Sequence, residues 1–373
     1  MTRILVCANN IDELGGAQQV VHMLAGAFHE LRHEVTAVGI TPYEPIHSFP
    51  GEYPRRVLMS QVWPKKSTHT ERVRANLRRE AVSAMAELLR EGPDEPSIVI
   101  TAQVWAMEIL TDALAAVTPR VRSRWSVIGQ YHGSFAAAAS GRDLGRILRS
   151  YGPVSVFTAL THEDRQAFIA AGLNNVVVMG NPLALWPERP RMELERDRKT
   201  LLYLGRLSAE KGVDLLLDAW SLVADEHPDW RLRITGDGPN KEQLRHQAAG
   251  LAGAERIEWS NATKDPYSTL MDADLVVLAS RTEGLPLVLA EAQACGVPVV
   301  ATDCSSGVRQ LVGDWGVLVP REDSRALASA LDRAMSDGEW RVAAGERGRE
   351  EMQRYRREAI IGQWQKLLGD VLR

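Results

Sequence analysis

Four charged side chains at the ends of apolar runs are the residues whose types and spacing most suggest chemistry. Residues 283–291 read EGLPLVLAE, so Glu283 and Glu291 stand either side of seven mostly apolar residues. Carboxylates accept hydrogen bonds from hydroxyls, and a ribose or a hexose offers several. The plain alternative is a solvated loop residue and a surface helix charge. Against it, Glu291 lies among Leu287, Val288, Leu289, Ala290, Ala292 and Ala294, and a charge in so apolar a helix requires a partner. Upstream, Gly205, Arg206, Lys211 and Gly212 follow a second apolar run, 200–204 (TLLYL). Two cations at a strand-to-helix junction suit a diphosphate, Arg as a two-pronged donor and Lys as a point charge. Two solvated surface cations are the alternative.

These residues need strands and helices behind them. Residues 274–279 (DLVVLA) and 295–301 (CGVPVVA) have the length and branching of buried strands, and Leu287 to Ala294 between them reads as a helix. Gly284 and Pro286 suit the turn before that helix, whose free backbone N–H groups would point to the C-terminal edge of a parallel sheet. An anion, most naturally a phosphate, belongs there. Residues 232–239 (LRITGDGP) add a strand and a turn in which Gly236 and Gly238 allow close backbone approach. The first forty residues read strand (3–8), loop (9–16), helix (17–31), strand (34–39). Gly15 and Gly16 end the loop directly before the helix, although a glycine pair alone is more often just a turn. A dinucleotide fingerprint needs G-x-G-x-x-G and an acidic residue after the second strand; Gly39, Ile40 and Thr41 stand there instead, which disfavours a dehydrogenase.

A length of 373 residues favours two domains, each with its own core. The net charge of −4 and pI near 6.2 argue against a nucleic-acid binder. The apolar runs are too short to cross a bilayer, and residues 4–8 (ILVCA) read as a strand rather than a signal peptide. Three cysteines, Cys7, Cys295 and Cys304, have no metal-ligand spacing and fit a reducing cytoplasm. Asp272 and Asp274 form a D-x-D, read here as a helix end and a strand start. Residues 183–199 (LALWPERPRMELERDRK) read as a linker.

In the first half, a helix from Glu71 to Arg90 carries an apolar stripe of Val73, Leu77, Ala81, Met85 and Leu88. Its other face has Arg72, Arg78 and Arg79, with Lys65 and Lys66 just upstream. That face is a solvated one, a site for an anionic acceptor, or a peripheral contact with an anionic membrane surface. Strands at 97–101 and 125–129 follow, and the second runs into Gln130, Tyr131, His132 and Gly133. A His in a turn at a strand's C-terminal end faces the ligand edge of a parallel sheet. A lone His is more often an ordinary core or surface residue.

Taken together the residues resemble the retaining glycosyltransferases of GT-B fold, family 4 type. The resemblance rests on E-x7-E at Glu283 and Glu291 within ADLVVLASRTEGLPLVLAEAQACGVPVVATD, on G-R-x4-K-G at Gly205 to Gly212, on GGA-Q at Gly15 to Gln18, and on His132. It implies an α/β chain of two Rossmann-like domains facing each other across a cleft. Residues 1–185 would bind the acceptor and 186–356 the nucleotide sugar, with a C-terminal helix, 357–373, packing back on the first domain. The implied reaction moves a hexose from a nucleotide-diphosphate sugar, such as a UDP sugar, to a hydroxyl of a glycan, glycolipid, anionic polymer or small molecule. Cell-envelope glycan synthesis is the implied setting, in the cytoplasm or at the inner face of the membrane, with no metal or other cofactor. Arg206 and Lys211 would stabilise the departing diphosphate. His132 and Glu283 would contact the donor sugar, and Glu291 would hold the ribose hydroxyls. Gly15, Gly16, Gly236, Gly284, Leu285, Pro286 and Leu287 would complete the donor site. The chain departs from the family at 305–308 (SSGV), where many relatives carry a Gly-Pro turn and Gly307 is the better match, and at Leu285, where an aromatic is common. An NDP-sugar 2-epimerase and a non-catalytic nucleotide-sugar-binding protein are the rival readings.

Overall fold

The computed structural model describes residues 1–64, 70–92, 94–191 and 198–373; Lys65 and Lys66 of the basic stretch lie outside the described residues. The chain divides into two compact units, Met1–Pro182 with Ile360–Arg373, and Leu183–Ala359. Each is built on one parallel sheet.

In the first unit the strands are β1 (Arg3–Ala8), β2 (Glu34–Gly39), β3 (Arg55–Val57), β4 (Ser97–Thr101), β5 (Trp125–Gln130), β6 (Val156–Ala159) and β7 (Val176–Val178). They lie in the order β3-β2-β1-β4-β5-β6-β7. Every residue of β1 and β4 is buried, which is why both read as unbroken apolar runs rather than as alternating ones. The helix Gly16–Glu30 packs on this sheet through Val20, Val21, Leu24, Ala25 and Phe28. The C-terminal helix Arg357–Val371 buries Trp364 completely, edge-on to Phe28 at 6.0 Å.

The helix Glu71–Arg90 buries Leu77, Ala81, Met85 and Leu88, but Val73 is 42% exposed. The packed face therefore begins one turn later than the stripe suggested, because the first turn runs past the edge of the core. Part of the basic face is also neutralised: Arg78 donates two bonds, of 3.1 and 2.7 Å, to Asp112 on the neighbouring helix Val104–Ala116. The proline-rich stretch after β2 is tied down by a buried His22, whose Nδ1 lies 2.6 Å from the Tyr53 hydroxyl and whose ring stacks on Phe49 at 4.2 Å.

The second unit has β8 (Lys199–Leu204), β9 (Trp230–Thr235), β10 (Ile257–Ser260), β11 (Leu275–Leu278), β12 (Val299–Thr302) and β13 (Val317–Val319), in the order β10-β9-β8-β11-β12-β13. Asp272 caps the C-terminus of the helix Pro266–Met271. Asp274 is 5% exposed and accepts from the Arg191 side chain and, at 2.7 Å, from the Thr200 backbone. Its carboxylate thus anchors the start of β8. No helix among the described residues is long and apolar enough to cross a membrane.

Candidate active site

In an open parallel sheet, the crevice lies where neighbouring strands send their connections to opposite sides. In the second unit that reversal falls between β8 and β11, since β9 and β10 extend one way and β12 and β13 the other. Gly205, Arg206 and Lys211 follow β8, and Glu283 follows β11. The Lys211 Nζ donates to Glu283 Oε1 at 2.6 Å, with the side chains 26% and 9% exposed. Ser280 donates to the same oxygen at 2.7 Å, and the Ser280 carbonyl accepts from Thr302 at 2.6 Å. Two donors thus converge on one Glu283 oxygen and fix its orientation. Arg206 is exposed at the end of the same turn, its carbonyl fixed by the Tyr203 hydroxyl at 2.8 Å.

The two loops touch backbone to backbone. Gly212 has φ of 63°, and a Cβ there would sit 2.0 Å from the Ala279 carbonyl oxygen. Only glycine meets both conditions. Gly284 is supported from behind by residues 305–308, where the sequence departs from the family's Gly-Pro turn. Ser305 donates to the Gly284 carbonyl at 3.2 Å and caps the helix Ser306–Val312, and a Cβ on Gly307 would lie 1.9 Å from that carbonyl.

Pro286 is the N-cap of the helix Leu287–Ala294, so the N–H groups of its first turn open at the C-terminal edge of the sheet. Leu285 is buried at 6% exposure, so its side chain packs inward and its backbone is what a ligand would meet. Glu291 lies about one turn into this helix, half-buried. Burial, with the Glu291 charge adding, pushes the Cys295 thiol up to about 12; burial and Glu283 do the same to Cys304. Both thiols are therefore protonated and unreactive near neutral pH. Gly236 follows β9, the neighbour of β8.

The remaining expected residues lie on the first unit. Gly15, with extended backbone, is the N-cap of the helix Gly16–Glu30, and Gln18 beneath it bonds Asn10 at 3.3 Å. His132 follows β5. Both of its ring nitrogens are shielded from solvent and, among the described residues, neither has a hydrogen bond of good geometry, Asn181 being the neighbouring polar side chain. Burial pushes its pKa down to about 4, partly opposed by the neighbouring Asn181 amide, so the ring is neutral at pH 7. Buried polar atoms without partners are rare and call for a reason, and a ligand hydroxyl would supply one. The turn is fixed by Asp164, which accepts from the Phe135 backbone at 2.8 Å and from Thr161 at 2.8 Å. Ser280, Asn181 and Asp164 are not singled out by the sequence as site residues because each acts through a neighbour; only Asp164 carries a local signal, three residues after Thr161, which caps the helix His162–Ala170 by accepting from the Asp164 N–H.

Two Rossmann-like parallel-sheet domains in one chain make the GT-B fold. Residues 186–351 match the model of the family "Glycosyl transferases group 1". An uncharacterized glycosyltransferase of Haemophilus influenzae is 28% identical over 362 residues, covering 96% of this chain and 98% of its own. The amylovoran biosynthesis glycosyltransferase AmsD of Erwinia amylovora is 25% identical over 99% of this chain and 100% of its own. Among solved structures, Anabaena HepE in complex with UDP and glucose superposes with a TM-score of 0.76 at 19% identity, covering 98% of this chain and 99% of that one. Residues 186–351 thus resemble the group 1 glycosyltransferases, and the chain as a whole is similar to glycosyltransferases along its full length.

Proposed function

We propose that this chain transfers a hexose, with retention of anomeric configuration, from a UDP-type nucleotide sugar to a hydroxyl of a growing glycan. The observation that carries the reading is the 2.6 Å contact between Lys211 and Glu283 at the reversal point of the second sheet. A cation for the diphosphate and a carboxylate for sugar hydroxyls stand side by side, as the P–O–C1 linkage of a nucleotide sugar requires. Arg206 and the first turn of the helix Leu287–Ala294 add positive potential for charge that grows as the diphosphate leaves. Glu291 takes the ribose hydroxyls. Gly236, Gly284 and the Leu285, Pro286 and Leu287 backbone complete the donor site on the second unit, and the resemblance adds Gly15 and Gly16 as donor-binding positions. His132, neutral and with both ring nitrogens shielded from solvent, hydrogen-bonds the sugar.

In the step itself the C1–O bond to the diphosphate breaks and the acceptor oxygen bonds C1 on the same face. The acceptor proton passes to the leaving phosphate oxygen, giving the glycoside and the nucleoside diphosphate. Glu283 is engaged by Lys211 and Ser280, which favours this front-face path over a glycosyl–enzyme intermediate on that carboxylate. Positive charge from Arg206 and Lys211 takes the place of a metal ion, so EDTA leaves the rate unchanged; loss of activity restored by Mg²⁺ or Mn²⁺ would contradict the reading. A polysaccharide acceptor is supported by the relative named for amylovoran biosynthesis, alike over the full length. The exposed Arg72 and Arg79 suit an anionic acceptor or an anionic membrane surface.

A thermal-shift and nucleotide-release screen with UDP-glucose, UDP-galactose, UDP-GlcNAc, GDP-mannose and ADP-glucose identifies the donor, and NMR of the product gives its anomer. An inverted product would exclude the front-face path. UDP-GlcNAc incubated alone and yielding an epimer would favour a 2-epimerase. Binding without any slow donor hydrolysis would favour a non-catalytic protein.

A further inference from the structure

We infer that Arg281 is a positioning residue that holds Lys211 and Glu283 at their working distance. The inference rests on the roles proposed for that pair. Arg281 lies two residues before Glu283, in the loop after β11, and most of its contacts are to the other loop or to the helix that follows it. Its Nη1 and Nη2 meet the two carboxylate oxygens of Asp214 at 2.8 and 2.7 Å. The Nη1 also donates to the Ala209 carbonyl at 2.7 Å, and the backbone N–H donates to the Glu210 carbonyl at 2.8 Å. Its Nε donates to Glu322 Oε1 at 2.8 Å. Ala209 and Glu210 immediately precede Lys211, and Asp214 follows three residues later. The fork therefore grips the Lys211 turn on both sides while its own backbone leads into Glu283.

The geometry explains why one residue type fits. A planar guanidinium satisfies a carboxylate with two parallel bonds and still has an Nε–H pointing elsewhere; an ammonium supplies charge but no fork. The Asp214 carboxyl is held below its usual range first by those bonds, and the guanidinium is held charged by the same contacts. Arg281 itself is 28% exposed on its side chain, and no contact it makes reaches the Lys211 ammonium or the Glu283 carboxylate. It acts on the pair through the backbone that carries each.

The test reads the pair itself rather than turnover alone. An ammonium hydrogen-bonded to a carboxylate acylates slowly, so limited acetylation with acetic anhydride followed by peptide mass spectrometry measures the Lys211–Glu283 contact in the full-length protein. The exposed Lys264 serves as the internal reference. In Glu283→Gln the Lys211 rate rises, which calibrates the assay; no rise there would mean the pair does not form in solution and would sink the inference. Arg281→Ala and Asp214→Asn are expected to raise Lys211 acetylation about fivefold or more while Lys264 is unchanged. Arg281→Lys, which keeps the charge and loses the fork, is expected to behave like Arg281→Ala; if it labels like wild type, charge rather than geometry is what matters and the fork is not the device. Asp214→Asn keeps the side-chain shape, so the result does not hang on Arg281→Ala folding well. Raised labelling together with a wild-type turnover number in Lys211→Ala would overturn the proposed reaction and leave the positioning intact. Unchanged labelling with impaired Lys211→Ala would do the reverse.

Discussion

At the level of single residues, the pair Lys211 and Glu283 is nearly neutral as it stands, so an incoming diphosphate has to compete with Glu283 for the ammonium. Interactions that strengthen as negative charge develops on the leaving group affect turnover more than binding. Lys211→Ala and Arg206→Ala should each lower kcat by about 100-fold, on the order of 3 kcal/mol, with smaller changes in KM. Wild-type turnover in either variant would remove the diphosphate role. The two glutamates separate by ligand. Glu291→Gln removes charge from bonds to ribose that ground state and transition state share, so UDP should bind more weakly by roughly 1.5–3 kcal/mol. Glu283→Gln weakens the hold on Lys211, which is then free for phosphate, so bare UDP should bind as well as before or somewhat better while the intact donor and turnover suffer. Calorimetry with UDP on both variants decides it: equal losses at the two positions would mean the carboxylates have been assigned the wrong groups.

At the level of elements, the site depends on two loops whose closeness is set by a missing side chain. Gly212→Ala must both hold a left-handed backbone and move the Ala279 carbonyl, which a Cβ would approach to 2.0 Å. The expected cost is more than about 2 kcal/mol of stability, together with a loss of turnover, read by chemical denaturation and initial rates. Wild-type stability would show that the loops are looser than their contact implies. Such pairings mark the limit of what the chain discloses by itself. The helix Glu71–Arg90 and the strand β4 were legible at their observed bounds, because period and flanking residues fix them locally. The three-residue β3 was not, since it is an edge strand in a proline-broken stretch and two of its residues are exposed. Charged partners far apart in sequence were equally hidden. Lys211 and Glu283 were each singled out, but their bond spans 72 positions and Arg281 reaches back 67 to Asp214. Only the order of strands brings these together.

At the level of the whole molecule, two histidines whose ring nitrogens are shielded from solvent, His22 and His132, make stability depend on pH. His22 is 3% exposed, with its Nε2 2.7 Å from the Ile11 carbonyl and its Nδ1 beside the Tyr53 hydroxyl, so the ring donates to the first and accepts from the second. Burial pushes its pKa down to about 4, as it does for His132. An unfolded histidine takes up its proton near pH 6.5. Between about 4 and 6.5 the unfolded chain therefore binds more protons than the folded one, and stability rises with pH across that interval. It is fully present above about 6.5 and is lost as the pH falls toward 4. Asp214, Asp229 and Glu210 have carboxyls held below their usual range, so what they contribute is lost at lower pH. Urea midpoints measured from pH 7.5 to 4.5 should fall with acidity, on the order of 1–3 kcal/mol per histidine across the window. His22→Gln and His132→Gln should each flatten the slope, and only His132→Gln should also impair turnover. An unchanged slope in both variants would mean that the two rings take up protons in the folded protein as readily as in the unfolded chain.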